Sequence, residues 1–284
     1  MSGTAVRSGG AARGTIAHAL EASWRQRELL GYFARRFNEK RYLRTFLGAW
    51  WLLLRPGMTV AWQVFAFLVV ASIDGGPGST PFLITFLIGF ATWSFFSEGA
   101  FWTTRSLELN RRVLKLVPVS PLVILVAALV PALVDLAICA GFVLIALLAY
   151  LAVDGTWYVD VSPELLWVVP GFAALTAFAL GVGLALAVPG ARFRDVRFLL
   201  RFALGIWYFV TPVVYPITMV PEGVRTLVEL NPLTGAVALV RHGLLDTPFP
   251  DALPLAATVV GSALMLAVGL WRFTRGHAKA LDHL

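Results

Sequence analysis

The sequence predicts an all-α integral membrane protein with six transmembrane helices, and three observations support this prediction. Of its 284 residues, 58% are hydrophobic and only 14% are charged, whereas soluble domains average about 45–50% apolar and about 25% charged residues. Several apolar runs approach or exceed the roughly 18 residues that indicate a membrane span. Basic residues cluster at the two ends of the chain and in alternate loops, as in multi-pass proteins of fixed orientation.

The chain before the first span divides into a tail and a basic helix. Residues 1–20 are rich in Ser, Gly, Ala and Thr, a composition that predicts a disordered tail. Residues 21–50 are amphipathic, with Leu29, Phe33 and Phe37 at four-residue spacing among many arginines. Such a helix is suited to lie along the membrane surface, with its cations near anionic head groups.

A transmembrane domain is predicted over residues 51–273. Its third apolar run contains Pro131 and is longer than a bilayer requires, so this helix should tilt, kink or project from the membrane. Residues 217–250 are too polar for a simple span, and we expect two short re-entrant or interfacial helices, broken at Asn231 and Pro232. The six spans are expected at residues 53–73, 82–103, 120–152, 165–188, 198–215 and 252–271, with a C-terminal tail at 274–284.

The distribution of positive charge orients these spans. The first, third and fifth connections contain only Arg225 and Arg241, whereas the second and fourth, at 104–119 and 189–197, are strongly basic. Cytoplasmic loops carry an excess of Lys and Arg. Both termini and the second and fourth loops are therefore predicted to be cytoplasmic. The basic residues of these two loops are Arg105, Arg111, Arg112, Lys115, Arg192, Arg194 and Arg197.

Side chains that could carry out chemistry or bind a metal are few. His18, His277 and His283 lie in the polar ends, and His242 is expected on the opposite side of the membrane. No metal site or histidine general base is therefore predicted. The single cysteine, Cys139, lies within an apolar run, so an intrachain disulfide is excluded.

Two acidic residues, Glu98 and Asp135, lie in or near apolar runs. A buried carboxylate is costly, so each should face the bundle interior, a cavity or a partner helix. Glu98 is near the cytoplasmic end of its span, where water or Arg105 can reach it, and Asp135 is deeper. A proton-coupled transporter would need a longer series of such groups, so the sequence does not favour this mechanism.

Three groups of residues, by their order and spacing, carry a resemblance to a known family. The first is KRYLRTFLGAWWLLLRPG at 40–57, and the second is RSLELNRRVLKLVPVSP at 105–121. The third comprises RFRDVRFLL, TPVVYP, VPEGVRTLVELNPLTG and LVRHGLL, between 192 and 245. Together they resemble the membrane permease subunit of type-2 ABC exporters that export lipid-linked cell-surface polysaccharides. The resemblance covers about residues 25–272, nearly the whole chain.

The resemblance implies what the complete transporter contains. Two copies of this chain would form a conduit in the bacterial cytoplasmic membrane, above two copies of a cytoplasmic ATPase subunit. ATP and Mg would be bound by that subunit, because this chain has no Walker A sequence, and no cofactor is expected here. The cargo would be a polyprenyl-diphosphate-linked glycan, such as O-antigen, teichoic acid or cell-wall galactan. No nucleic acid partner is expected.

Two alternatives remain open. A drug or small-lipid efflux permease of the same superfamily would show efflux that does not depend on glycan synthesis. An integral membrane glycosyltransferase would show activity in the purified chain without any ATPase.

The resemblance also implies residue roles. A helix around 107–116 would couple to the ATPase, and Arg194 and Asp195 would pair and set the angle of the fifth span. Helical spacing places aromatic residues on one stripe of the second span, where they are suited to contact sugars. Arginines would bind a pyrophosphate or lipid head groups. The break between the two short helices would act as an outer gate. The residues are Leu107, Glu108, Arg111, Arg112, Arg194 and Asp195 for coupling, Phe86, Phe90, Trp93, Trp207, Tyr208 and Tyr215 for the conduit, Arg41, Arg44 and Arg55 for the phosphate, and Asn231 and Pro232 for the gate.

Overall fold

All regular secondary structure in the described part of the chain is helical. The computed structural model describes residue 24 and residues 26–42, 46–70, 80–245 and 247–283. No β-strand occurs within these residues, which confirms the predicted all-α class. The tail predicted at 1–20, and Arg44, lie outside the described residues.

The described residues form eleven α-helices. Short 3₁₀ helices occur at Gly48–Trp50, Pro163–Trp167 and Ile217–Met219, and a π-helix at Phe65–Val70 extends α2. The α-helices are α1 (Leu29–Tyr42), α2 (Trp51–Val64), α3 (Phe82–Leu109), α4 (Arg111–Leu116), α5 (Pro121–Ala127), α6 (Val130–Asp154), α7 (Val168–Arg192), α8 (Asp195–Val210), α9 (Glu222–Glu229), α10 (Thr234–Leu245) and α11 (Ala252–His283).

Four helical segments of the described chain are long and apolar enough to cross a membrane, judged by length and composition. They correspond to the predicted second, third, fourth and sixth spans. The first and fifth predicted spans coincide with α2, together with its π-helical extension, and with α8. That these two also cross the bilayer, and the orientation of the chain, stay predictions. The four segments are Phe82–Leu109, Pro121–Asp154, Pro163–Arg192 and Ala252–Gly276.

Helix boundaries differ from the prediction at several points. The second predicted span continues beyond residue 103 to Leu109, and α11 continues through the predicted C-terminal tail to His283. The fifth predicted span ends as helix at Val210. Helix ends depend on packing and capping that apolar composition alone does not reveal.

The third predicted span, where Pro131 predicted a tilt, a kink or a projection from the membrane, is interrupted next to this proline. Helix α5 ends at Ala127 and α6 begins at Val130, with a turn between them. Proline has no backbone N–H to donate to the carbonyl four residues earlier, and its ring crowds that carbonyl. The missing hydrogen bond to Ala127 therefore explains why the helix breaks here.

Helix α3 lies at the centre of the bundle. It is buried over most of its length and packs against α6, α7, α8 and α10. A helix that is apolar on all sides is suited to such a position. Helix α7 packs on α3 and also on α11, whereas α2 has no fully buried residue.

Helices α7 and α11 approach each other closely at two glycines. A Cβ atom added at Gly181 would lie 2.5 Å from the backbone carbonyl carbon of Met265, and one added at Gly269 would overlap the backbone of Gly181. Small residues allow membrane helices to pack backbone against backbone. The contact between α7 and α11 therefore depends on the absence of side chains at these positions.

The predicted amphipathic helix is present as α1, over a shorter range than residues 21–50. Phe33 and Phe37 are each 1% exposed and pack against Trp102 and the α5 residues Val123 and Ile124. The apolar stripe of α1 is thus covered by the protein itself. Its position along the membrane surface stays a prediction.

Candidate functional site

A cavity of about 350 Å³ opens between the C-terminal end of α1 and helices α2, α3, α6 and α8. Charged residues line the part near the C-terminal half of α3, and aromatic residues line the part toward its N-terminal half. The charged residues are Arg41, Arg55, Glu98, Asp135 and Arg201; the aromatic residues include Phe90, Trp93 and Tyr208; and polar residues such as Thr59, Gln63, Ser94 and Ser97 complete the wall.

Glu98 is the centre of the charged part. One of its carboxylate oxygens accepts hydrogen bonds from Arg55 at 2.6 Å and from Arg201 at 2.8 Å. The other accepts a hydrogen bond from the indole N–H of Trp102 at 2.9 Å. The guanidinium of Arg201 also lies 3.5 Å from the centre of the Phe101 ring. Glu98 thereby links α2 and α8 to the central helix.

The prediction that Glu98 faces the interior or a cavity is confirmed, but its expected partner is wrong. Arg105 pairs with Glu108 instead, at 3.6 Å. The actual partners, Arg55 and Arg201, come from distant parts of the chain, and no spacing rule connects them with Glu98. Sequence analysis therefore missed Arg201 as a site residue; its only signal was an arginine in an otherwise apolar run.

Arg41 and Asp135 form a second ion pair in the cavity wall, at 2.7 Å. Their side chains are 4% and 8% exposed. Arg41 also donates to the carbonyl of Pro131 at 3.0 Å and lies 5.3 Å from the centre of the Trp102 ring. The pair joins α1 to α6 just after the helix break. The expectation that Asp135 faces the interior or a cavity is confirmed.

The charged part of the cavity has three arginines and two carboxylates. The side chains of Arg55 and Arg201 remain 49% and 40% exposed, although both contact Glu98. Ionisable groups at membrane depth are costly and usually mark a functional site. A small anion entering here would meet a cationic surplus and two accessible guanidinium groups.

The aromatic part of the cavity includes three of the six residues predicted for the conduit. The rings of Trp93 and Tyr208 meet edge to face with their centres 5.5 Å apart, and Phe90 lies on the same wall. An aromatic face next to hydroxyl and amide groups can contact both the C–H face and the hydroxyls of a sugar.

The other predicted conduit residues lie elsewhere. Phe86 is 1% exposed and stacks between Phe82 and Phe90, each at 6.0 Å. Trp207 packs among α3 and α7 rings, including Phe178 at 5.6 Å. The Tyr215 hydroxyl donates to the carbonyl of Phe209 at 2.8 Å. Within one copy of the chain, these three residues do not line the cavity.

Asn231 and Pro232 form the corner between α9 and α10, so the predicted break is confirmed. The Asn231 amide donates to the Thr211 hydroxyl at 2.9 Å and accepts from the Trp207 indole at 3.1 Å. These bonds attach the corner to the C-terminal end of α8. Movement of this corner as a gate stays a prediction.

Arg241 is a buried cation that sequence analysis did not assign to a site. It donates to the carbonyls of Pro212 at 2.8 Å and Val213 at 2.5 Å, and lies 3.3 Å from that of Thr85. Gly89 leaves room for it, because a Cβ atom there would collide with its guanidinium. Arg241 therefore holds the segment after α8 against α3 and α10.

The helix predicted for coupling around 107–116 is two helices, because α3 ends at Leu109 and α4 begins at Arg111. Leu107 is buried in the protein core at 1% exposure. Glu108 accepts a hydrogen bond from Arg197 at 2.7 Å, and Arg111 donates to the carbonyl of Ala191. Arg112 is exposed.

Arg194 and Asp195 are both exposed, and the ion pairs among the described residues do not join them. Asp195 is instead the first residue of α8, where a carboxylate interacts favourably with the helix dipole. The expected local pair is replaced by Arg197 and Glu108, which join the two basic loops predicted to be cytoplasmic.

Metal ligands do not come together in the described residues: no three His, Cys, Asp or Glu side chains form a group that could hold an ion. His242 contacts Glu164 through its ring Nε2, and its Nδ1 lies 2.5 Å from the carbonyl oxygen of Thr247.

Helices of membrane-spanning length around a polar, arginine-lined cavity are typical of multi-pass membrane transport proteins. The chain belongs to the ABC-2 type transporter family, whose family description matches residues 28–245. The family predicted from the sequence motifs is thereby confirmed.

Curated relatives of the chain are transport proteins. The chain is 27% identical to the O-antigen export system permease protein RfbA of Myxococcus xanthus, over 86% of this chain and 90% of that protein. It is 22% identical to the polysialic acid transport protein KpsM of Escherichia coli, over 79% of this chain and 84% of that protein. It is 24% identical to RfbA of Klebsiella pneumoniae, over 79% of this chain and 85% of that protein.

Proposed function

We propose that the chain is the permease of an ATP-driven exporter that moves a polyprenyl-diphosphate-linked polysaccharide across the bacterial cytoplasmic membrane. Its family and the names of its relatives support polysaccharide export. The observation that carries the finer proposal is the cavity, where arginines and aromatic residues line opposite parts of one wall. The cargo would match this order, with its anionic diphosphate at the arginines and its sugar chain at the aromatic residues.

The charged part of the cavity suits the diphosphate. Guanidinium groups present planar, paired donors that match phosphate oxygens. Arg55 and Arg201 are the best placed, since both are partly exposed and converge on one carboxylate oxygen of Glu98. Arg41, predicted for the same role, is buried in its pair with Asp135 and serves to position the wall.

The aromatic part of the cavity suits the first sugars of the glycan. The rings of Trp93 and Tyr208 line this part of the cavity beside Gln63 and Ser94, and both side chains are otherwise buried, at 7% and 6% exposure. Stacking on C–H faces is weakly dependent on the sugar's identity, so a polymer can slide past such a surface. The enzymes that synthesise the polymer, and not this surface, would therefore determine whether it is O-antigen, teichoic acid or galactan.

A second copy of the chain is expected to close the cavity into a conduit. Helix α8 borders the cavity and has five large apolar side chains that are more than half exposed along its length. Exposed apolar surface of this extent is typical of contact with lipid or with another protein. The five side chains are Phe198, Leu199, Phe202, Ile206 and Phe209.

The basic loop between α3 and α5 is expected to contact the ATPase subunit, which would bind ATP and Mg. Arg112 is exposed and available for this contact. Directly before this loop, Glu108 at the end of α3 pairs with Arg197 near the start of α8. A displacement of α4 by the ATPase can therefore reach α8 and the cavity that α8 borders.

The test is binding of undecaprenyl diphosphate, compared with undecaprenol, to the purified chain. The diphosphate should bind more tightly, and Arg201→Ala should weaken that binding about 10- to 100-fold, as expected for a lost charge-assisted hydrogen bond. Arg272→Ala, an exposed arginine of α11, is the matched control and should change nothing.

Equal affinity for the alcohol and the diphosphate would contradict recognition of the phosphate and favour a small-lipid or drug permease. Transfer of sugar to lipid by the purified chain alone would favour a glycosyltransferase. Recovery of an ATPase subunit with the tagged chain from its native membrane would support the exporter.

A further inference from the structure

A second, separate groove of about 480 Å³ lies between α1, the end of α3 and α4. The positive-inside rule places it on the cytoplasmic side of the membrane. Its lining is almost entirely basic: Arg36, Lys40, Arg111, Arg112 and Lys115, together with Glu108 and Leu109.

Among the residues that the structure describes, the cations of this groove have no carboxylate partners. Within the described residues, none of the five forms an ion pair. The one acidic residue of the lining, Glu108, is already paired with Arg197 and Arg105. The groove therefore has a large surplus of positive charge that nothing in the described chain neutralises.

Neutral groups hold several of these cations in place. Lys40 donates to the carbonyl of Leu109 and lies 3.4 Å from the amide oxygen of Asn110, and Arg36 donates to the Tyr32 hydroxyl at 3.1 Å. Burial and the neighbouring Arg36 lower the pKa of Lys40 to about 8. An anion in the groove would offset the electrostatic repulsion between Lys40 and Arg36.

Apolar side chains border the groove. Leu116 and Val117, directly after Lys115, are 82% and 48% exposed. The groove also begins where α3, a helix of membrane-spanning length, ends at Leu109. A ligand with an anionic head and apolar tails would satisfy both features, because its tails could cover these side chains at the membrane surface.

We propose that this groove binds the phosphate-bearing head group of an anionic phospholipid of the inner leaflet. Basic pockets at the cytoplasmic ends of membrane helices bind such head groups. The lipid would join α1 to α4, the helix that we expect to contact the ATPase. The inference goes beyond the proposed export function, since it requires neither the cargo nor the ATPase.

The experiment uses the purified full chain in a neutral detergent without the ATPase. It is titrated with phosphatidylglycerol, with phosphatidylcholine of the same acyl chains, and with glycerol phosphate. We expect saturable binding of phosphatidylglycerol, with a 10-fold or greater preference over phosphatidylcholine. The double variant Arg36→Ala/Lys40→Ala should weaken it about 10- to 30-fold, since each cation near a membrane contributes about 1 kcal/mol.

Arg35→Ala is the matched control, because Arg35 is on the same helix but is exposed and paired with Glu39; it should bind lipid like the unaltered chain. Lys115→Ala, in the exposed part of α4, is a second test variant that does not disturb α1. It should weaken binding at least threefold, with an unchanged melting temperature.

Unchanged phosphatidylglycerol binding in Arg36→Ala/Lys40→Ala and in Lys115→Ala, or equal binding of phosphatidylcholine, would overturn the proposal. Equal affinity for glycerol phosphate would overturn the lipid source and leave a simple phosphate site. If the double variant still bound the lipid but, in a separate purification from its native membrane, no longer recovered the ATPase, an acidic protein surface would be the occupant and the proposal would be wrong. Each of these results is independent of the Arg201 test for the cargo.

Discussion

At Glu98, one carboxylate accepts hydrogen bonds from three donors on three helices, Arg55, Arg201 and Trp102. Two of these donors are the arginines that we propose for the diphosphate of the cargo. Within the cavity, the carboxylate occupies the position of an anion between them. In the proposed function, the diphosphate would compete with Glu98, which would limit how tightly the cargo is held and allow its release.

Glu98→Gln should consequently tighten the binding of undecaprenyl diphosphate. Glutamine keeps the shape and an oxygen to accept a hydrogen bond, but a neutral acceptor is weaker by about 1–2 kcal/mol, so we expect about 10-fold higher affinity. Binding is measured on the purified variant, and export in cells should fall because release slows. Weaker binding in this variant would show that Glu98 positions the arginines and does not compete with the cargo.

Arg41 and Asp135 differ from Glu98 in that both partners are buried. Asp135→Ala leaves a buried guanidinium without its carboxylate, a change that costs about 3–5 kcal/mol. We expect a corresponding decrease in the free energy of unfolding, measured by denaturant titration in detergent micelles. Glu39→Ala, which breaks the exposed pair with Arg35, is the control and should cost less than about 1 kcal/mol. Similar small effects for both would mean that Arg41 is hydrated in solution.

At the scale of helices, the close contact between α7 and α11 is the most demanding feature of the packing. Gly181→Ala introduces a Cβ atom against the backbone of α11, and overpacking of this kind costs about 1–3 kcal/mol. We expect a lower melting temperature for the purified protein. Gly141→Ala on α6, where a Cβ would have no neighbour within 4 Å, should not lower it. A tolerated Gly181→Ala would show that the two helices can move apart without loss of stability.

Helix α8 is connected at each end to another element of the fold. The two elements are predicted to lie on opposite faces of the membrane. At its N-terminal end, Arg197 joins α8 to the end of α3 through Glu108. At its C-terminal end, Trp207 and Thr211 bind Asn231 at the corner between α9 and α10. Helix α8 also lines the cavity through Arg201. It is therefore the element through which a cytoplasmic displacement would reach both the cavity and the predicted outer gate.

At the scale of the whole molecule, the proposed dimer can be tested by disulfide cross-linking. The one native cysteine, Cys139, is buried. A cross-link between two copies would therefore form through the introduced cysteine. Phe202→Cys on α8 should give a cross-linked dimer in native membranes after mild oxidation. Leu264→Cys on α11, a similarly exposed apolar position, should not. Cross-linking through Leu264 and not Phe202 would place the partner against α11 and contradict a conduit bordered by α8.

Much of the fold was predictable from local features of the chain. Pro131 indicated the break between α5 and α6, and Asn231 with Pro232 indicated the corner between α9 and α10, because proline restricts the backbone on both of its sides. Apolar length indicated the four membrane-length segments. The motifs also identified the family correctly.

The site was less predictable, since it depends on how the helices are rotated against one another. Arg55 and Arg201 meet at Glu98 although they are 43 and 103 residues from it along the chain. Arg36 and Lys40 line one groove with basic residues of α4, and Lys40 donates to the carbonyl of Leu109, 69 residues away along the chain. In each case the sequence showed only a charged residue beside apolar ones, which is equally typical of a solvated membrane surface.

The sequence by itself therefore determined the helical class, the breaks and the family, because backbone hydrogen bonding within a helix and the apolar length of a span are local properties. Only the tertiary structure decided which charges face each other, that Phe86 and Leu107 are internal, and that two cationic sites are separate. Those features follow from the packing of whole helices around α3, where a rotation of one helix by a fraction of a turn changes every contact of its side chains.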